Sequence, residues 1–121
     1  MTDHVTTTVV RAGVPVLVVD EQGPPIATTQ DALDLIGAAY ATADVVAIPA
    51  TRLDDSFFTL RSGVAGEIMQ KFANYRIRLA IVGDITRHTT ASTALRDLVR
   101  ESNRGTQLWF VPTLPDLDKH L

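Results

Sequence analysis

Val64-Ala65-Gly66-Glu67-Ile68-Met69-Gln70-Lys71-Phe72-Ala73-Asn74-Tyr75, followed after Arg76-Ile77 by Arg78-Leu79-Ala80-Ile81-Val82-Gly83-Asp84, is the stretch whose reading decides the fold. Val64, Ile68, Met69 and Phe72 recur at helical spacing, while Glu67, Gln70, Lys71 and Asn74 line the opposite side. Glu67 and Lys71 also stand four residues apart in the orientation that favours an ion pair. The run Arg78 to Val82 reads as a buried strand, closed by Gly83-Asp84. An amphipathic helix feeding directly into an apolar strand is half of a parallel βαβ unit.

The same alternation extends in both directions. Upstream, Val45 to Ile48 is a buried strand ending at Pro49, which has no N–H to donate. Before it, Ala32, Leu35, Ile36 and Ala39 form the stripe of a helix capped by Thr28 or Thr29, with Gln30 and Asp31 in its first turn. Val5 to Arg11 and Val14 to Asp20, separated by Ala12-Gly13, read as an antiparallel hairpin that stops at Gly23-Pro24-Pro25. Downstream, a helix from about Ala91 to Asn103 turns Leu95, Leu98 and Val99 inward and stops at Gly105. Thr106 to Val111 is a last strand and Leu114 to Leu121 a short terminal helix. The order β-β-α-β-α-β-α-β-α predicts an α/β fold with one mixed, mostly parallel sheet, an N-terminal antiparallel hairpin, and helices following the strands.

Composition narrows the function classes. The 121 residues are 45% hydrophobic and 21% charged, with no cysteine, so disulfides and thiolate metal sites are excluded. Eleven basic residues against 14 acidic ones leave a net charge of -3, without the excess of cations that nucleic acid or an anionic membrane would require. The start, Met1-Thr2-Asp3-His4, has neither the basic region nor the apolar run of a signal peptide, which predicts a cytoplasmic protein.

Chemistry-bearing residues gather after the strands, where open α/β sheets hold their ligands. Arg52, Asp54, Asp55 and Ser56 follow one strand; Asp84, Thr86, Arg87 and His88 follow the next. Arg61, Ser62 and Gly63 open the helix between them, where free N–H groups suit an anion. The capping alternative assigns Asp54 or Asp55 to a short turn, Ser62 to a helix start and Asp84 to a turn. Gly63-Val64-Ala65-Gly66 lacks the spacing and lysine of a phosphate loop. Ser62, His88 and Asp84 have no nucleophile elbow around them. His4, His88 and His120 are too scattered for a metal site. Leu17-Val18-Val19-Asp20-Glu21 has the look of a receiver domain's acidic strand, but Ile48-Pro49 stands where the phosphoacceptor aspartate would. Arg100, Glu101, Ser102, Asn103 and Arg104 cluster at a helix end, where the two arginines suit the dipole and Glu101 and Asn103 could face a partner. Of Trp109 and Phe110, adjacent on a strand, at least one ring belongs to the core. The other, with Tyr75, is a candidate interface anchor.

Two resemblances follow from these residues. Gly23-Pro24-Pro25-Ile26, Asp31 to Ile36, Phe57 to Phe72, Leu79-Ala80-Ile81-Val82-Gly83-Asp84 and Glu101-Ser102-Asn103-Arg104-Gly105 resemble the bacterial DUF4180 family, which has no assigned activity. The organisation is also similar to the STAS domain of anti-anti-sigma factors, with Leu60-Arg61-Ser62-Gly63 in place of its Asp-Ser-Ser-Gly-like turn. That resemblance implies a phosphosite at Ser62 and a docking face at Glu67, Gln70, Lys71 and Asn74. Two departures stand out: the aspartate before the serine is absent, with Arg61 close by, and Asp54 to Thr59 looks like an insertion.

The expectation is one STAS-like domain over residues 1–121, acting as a protein–protein interaction or regulatory module that responds to an anion or to phosphorylation at the Ser62 helix. Its partner- or anion-binding candidates are Arg61, Ser62, Gly63, Glu67, Gln70, Lys71, Asn74, Asp84, Glu101, Asn103 and Arg104. The partner is a protein of unknown identity, and no catalytic residue, metal or cofactor is assigned. The competing reading is a small enzyme or ligand-binding protein using the crevice between Arg52–Ser56 and Asp84–His88. A third is a homodimer paired through the hairpin or a strand edge.

Overall fold

Ala12-Gly13 turns the chain back on itself between Thr7–Arg11 (β1) and Val14–Val18 (β2), which pair antiparallel with Arg11 opposite Val14. Both turn residues adopt positive φ, 49° at Ala12 and 80° at Gly13, as a two-residue hairpin loop demands. The computed structural model describes residues 7–121, so Val5 and Thr6 of the expected first strand and His4 fall outside it.

From β2 onward the sheet is parallel. Val45–Pro49 (β3), Arg78–Val82 (β4) and Leu108–Val111 (β5) add in sequence order, giving β1-β2-β3-β4-β5. Each crossover moves one strand over in the same direction, and the right-handed rule then carries every connecting helix to the same face. These helices are Thr29–Ala39 (α1), Asp55–Phe58 (α2), Val64–Asn74 (α3), Thr86–Ala91 (α4) and Thr93–Asn103 (α5).

The helix-covered core takes alternate strand residues, Leu17, Val46, Ile48, Leu79, Ile81, Leu108 and Phe110, against Ile36, Phe57, Ile68, Phe72 and Leu95. Truncating the fully buried Phe72 to alanine would cost about 3–5 kcal/mol. The remaining strand residues, Val16, Val45, Ala47, Ala80, Trp109 and Val111, face the other side with Leu117. Leu117 belongs to the terminal segment Leu114–His120, a 3-10 helix where an α-helix was expected. Asp118 takes two hydrogen bonds from Arg11 on β1, both at 2.8 Å, and His120 stacks on Trp109. Because both faces are covered, Trp109 and Phe110 are both buried, and neither ring is left as an anchor.

Local capping follows the sequence in most places. Thr28 and Asp31 form a reciprocal capping box at α1. The helix expected from about Ala91 to Asn103 is present and starts at Thr93: the additional short helix α4 ends at Ala91, Ser92 is extended, and its hydroxyl accepts the Leu95 N–H to start α5. At the end of α3, Arg76 takes the left-handed position (φ 58°), with Arg76 N–H bonded to Ala73 and Ile77 N–H to Phe72. That is a Schellman motif carrying arginine where glycine is usual. No helix among the described residues is long and apolar enough to cross a membrane.

Candidate functional site

The two polar clusters named from the sequence do come together at the carboxyl ends of β3 and β4, yet they differ in kind. Arg52 is buried, 9% exposed, and its guanidinium points into the loop after β2. It donates to the carbonyls of Asp20 (2.7 Å), Gln22 (2.9 Å) and Pro24 (3.0 Å). The loop fits because residue 23 is glycine: with φ 134°, a Cβ there would meet the Arg52 guanidinium carbon at 2.9 Å. Ile26 N–H bonds to Arg52 O and Asp54 N–H to Ile26 O, locking loop against loop. Asp54 caps α2 through the Ser56 hydroxyl and N–H, which hold its carboxyl below the usual range.

Across from this cluster, Asp55 meets Arg87 at 3.1 Å, an exposed pair, and Phe58 stacks on His88 with ring centroids 4.0 Å apart. Burial, reinforced by Arg87, pushes the His88 imidazole below its usual value. The stacking on Phe58 and the lowered value both favour the neutral imidazole. Asp84 Oδ1 accepts the hydroxyl and N–H of Thr86, which lower its carboxyl in that order.

Beside Asp84 lies a concave site the sequence reading did not outline. A cleft of about 460 Å³ opens between the ends of β4 and β5 and the α4–α5 corner. Ile85, Val99, Phe110, Val111 and Pro112 line it, with Asp84, Thr86, Thr89 and Arg96 supplying its polar groups. Arg96 went unnoticed because on α5 it reads as one more solvated charge. A second cleft of about 350 Å³ shares Gly83 and Pro112 but lies toward Glu21, Thr51 and Leu114.

Ser62 is not the N-cap residue of α3. The cap position is Gly63, left-handed at φ 82°, and Ser62 ends a 3-10 turn from Leu60. Its hydroxyl donates to Ser56 O at 2.6 Å and accepts the Val64 N–H at 3.1 Å. Along α3, Ala65, Ile68 and Phe72 are buried, while Glu67, Gln70 and Asn74 are exposed and Lys71 is half-buried. Gln70 donates to Asn74 at 2.8 Å. No ion pair forms between Glu67 and Lys71. A groove of about 330 Å³ runs along this helix, floored by Leu79 and Leu108 and edged by Gly66, Met69, Gln70, Ala73 and Gln107. Tyr75, 50% exposed, stands at the helix's end.

The third cluster divides. Glu101 and Arg104 are exposed, but Asn103 faces inward. Its amide donates to Phe110 O at 3.0 Å and accepts Phe110 N–H at 2.8 Å, closing the outer edge of β5. Among the described residues no group of three His, Asp or Glu side chains is placed to hold a metal ion.

A family model described as Domain of unknown function (DUF4180) matches residues 11–121. The chain belongs to the DUF4180 family. No curated protein and no solved structure matches it. Every feature above except the β1 residues before Arg11 falls within the DUF4180 match.

Proposed function

We propose that this DUF4180 protein is a small cytoplasmic interaction module that engages a protein partner through the outer face of α3. The observation that carries the reading is the apolar groove along α3. Its edge is built by the helix's small residues Gly66 and Ala73, and Gln70 stands beside them. An apolar floor edged by Gln70 and Gln107, with exposed Glu67 and Asn74 on the same helix and Tyr75 at its end, has the composition of a protein interface. Catalysis has weaker support: Arg52 and Asp54 are committed to the fold, His88 packs on Phe58, and Ser62 is bonded to Ser56 rather than to a base.

Ser62 is the regulatory element in this reading. A phosphoryl group on its oxygen would remove the bond it donates to Ser56 O and place negative charge beside Arg61. The turn that enters α3 would then rearrange, changing the presentation of the docking face. The element order shared with STAS domains agrees with such a switch, as an analogy of organisation.

The test is affinity capture from host lysate with three baits side by side: wild type, Glu67→Ala with Asn74→Ala, and Arg96→Gln. A protein retained by wild type and Arg96→Gln but lost from the double variant, whose melting temperature is unchanged, is the expected result. Equal retention by all three baits would overturn the assignment of α3.

A further inference from the structure

The cleft beside Asp84 carries a chemistry of its own. Its wall is apolar, built from Ile85, Val99, Phe110 and Pro112, and its volume of about 460 Å³ suits a small molecule. It sits at the carboxyl ends of two parallel strands, where open α/β sheets place ligands. Two opposite charges line it without pairing with each other. Asp84 uses only Oδ1, for Thr86, and its Oδ2 takes no hydrogen bond among the described residues. Arg96 donates one bond to the Thr93 hydroxyl and forms no salt bridge among the described residues, unlike Arg11, Arg87 and Arg100. The floor is held rigid, because the Asn103 amide fixes both backbone groups of Phe110.

An apolar wall flanked by one free carboxylate oxygen and one guanidinium without an ion-pair partner among the described residues selects a ligand carrying the complementary pair. We propose that this cleft binds a small zwitterion, an amino acid with an apolar side chain. Its ammonium is held by Asp84, its carboxylate by Arg96, and its side chain lies against Val99 and Phe110. A bidentate guanidinium–carboxylate bond fixes the orientation, and neither charge alone satisfies the site. This site is separate from the α3 face, so either assignment can fail without the other.

Amide NMR of the isotope-labelled full chain tests it, with L-phenylalanine, hydrocinnamate and phenethylamine as probes up to about 10 mM. L-phenylalanine is expected to shift the amides of Gly83, Ile85, Val99 and Val111, and to bind about tenfold more tightly than either single-charge analogue. Arg96→Gln and Asp84→Asn should each weaken it about tenfold. Asparagine keeps the oxygen that receives the Thr86 N–H, so the fold survives the second change. Glu67→Ala with Asn74→Ala should leave binding unchanged. No shift with any probe, equal binding of L-phenylalanine and hydrocinnamate, or full affinity in both charge variants would overturn the proposal.

Discussion

Two polar clusters follow neighbouring strands of one parallel sheet, and they have opposite fates. After β3, Arg52 is drawn inward because three carbonyls of the loop after β2 converge on it. After β4, Arg96 donates to no backbone carbonyl among the described residues, and its charge and that of Asp84 stay on the wall of an open cleft. The difference lies in the backbone around each arginine rather than in the arginines. A guanidinium surrounded by orphan carbonyls becomes scaffold, and one beside apolar side chains stays available.

Substitution separates the two clusters most sharply at the arginines. Arg52→Met strands the carbonyls of Asp20, Gln22 and Pro24 and should destabilise the protein by about 3 kcal/mol in denaturant unfolding. Arg96→Gln, on the open side, should stay within about 0.5 kcal/mol of wild type. Equal costs would erase the distinction. Asn103→Ala, which strips both hydrogen bonds from the β5 edge, should cost about 2 kcal/mol. It should also promote self-association, visible by light scattering, since an exposed strand edge pairs with other chains.

A smaller effect of opposite sign is expected at Arg76. Its left-handed backbone is strained for a side chain, and Arg76→Gly should stabilise by about 1 kcal/mol. A loss of stability there would mean that its side chain contributes more than its strain costs.

The smallest expected effect is the response to pH. His88 and His120 are both held below the usual imidazole value, chiefly by burial. The unfolded chain therefore binds protons that the folded chain refuses, and stability falls as pH drops below about 6.5. Asp31, Asp54, Asp84 and Asp118 are depressed too, so a second loss follows as pH falls below about 3.9. Replacing both histidines by glutamine should flatten the melting temperature between pH 7 and 5. An unchanged slope would show that the imidazoles are not its source.

The strand and helix order was legible because hydrophobic period and turn residues agree along most of the chain. The pairs Ala12-Gly13, Thr28 with Asp31, and Val64 with Ile68 each repeat at short range what the topology needs. The site was less legible because its decisive partners are remote in sequence. Nothing near Arg52 announces three carbonyls some thirty residues earlier. Asn103 looks like a free helix-end amide until β5 is brought alongside it. Ser92 sets the start of the expected third helix at Thr93, because its hydroxyl supplies the cap. Ser62 looked like the start of α3, but Gly63 alone tolerates the left-handed geometry required there.

The division between locked and open clusters is tested most directly at the arginine side chains, by measuring exchange of their Nε–H protons with water by NMR. Arg52 Nε–H, on a buried side chain and bonded to Pro24 O, should exchange far more slowly than that of Arg96. Comparable exchange at the two sites would contradict the assignment of Arg52 to the fold and return the cluster after β3 to the candidates for function.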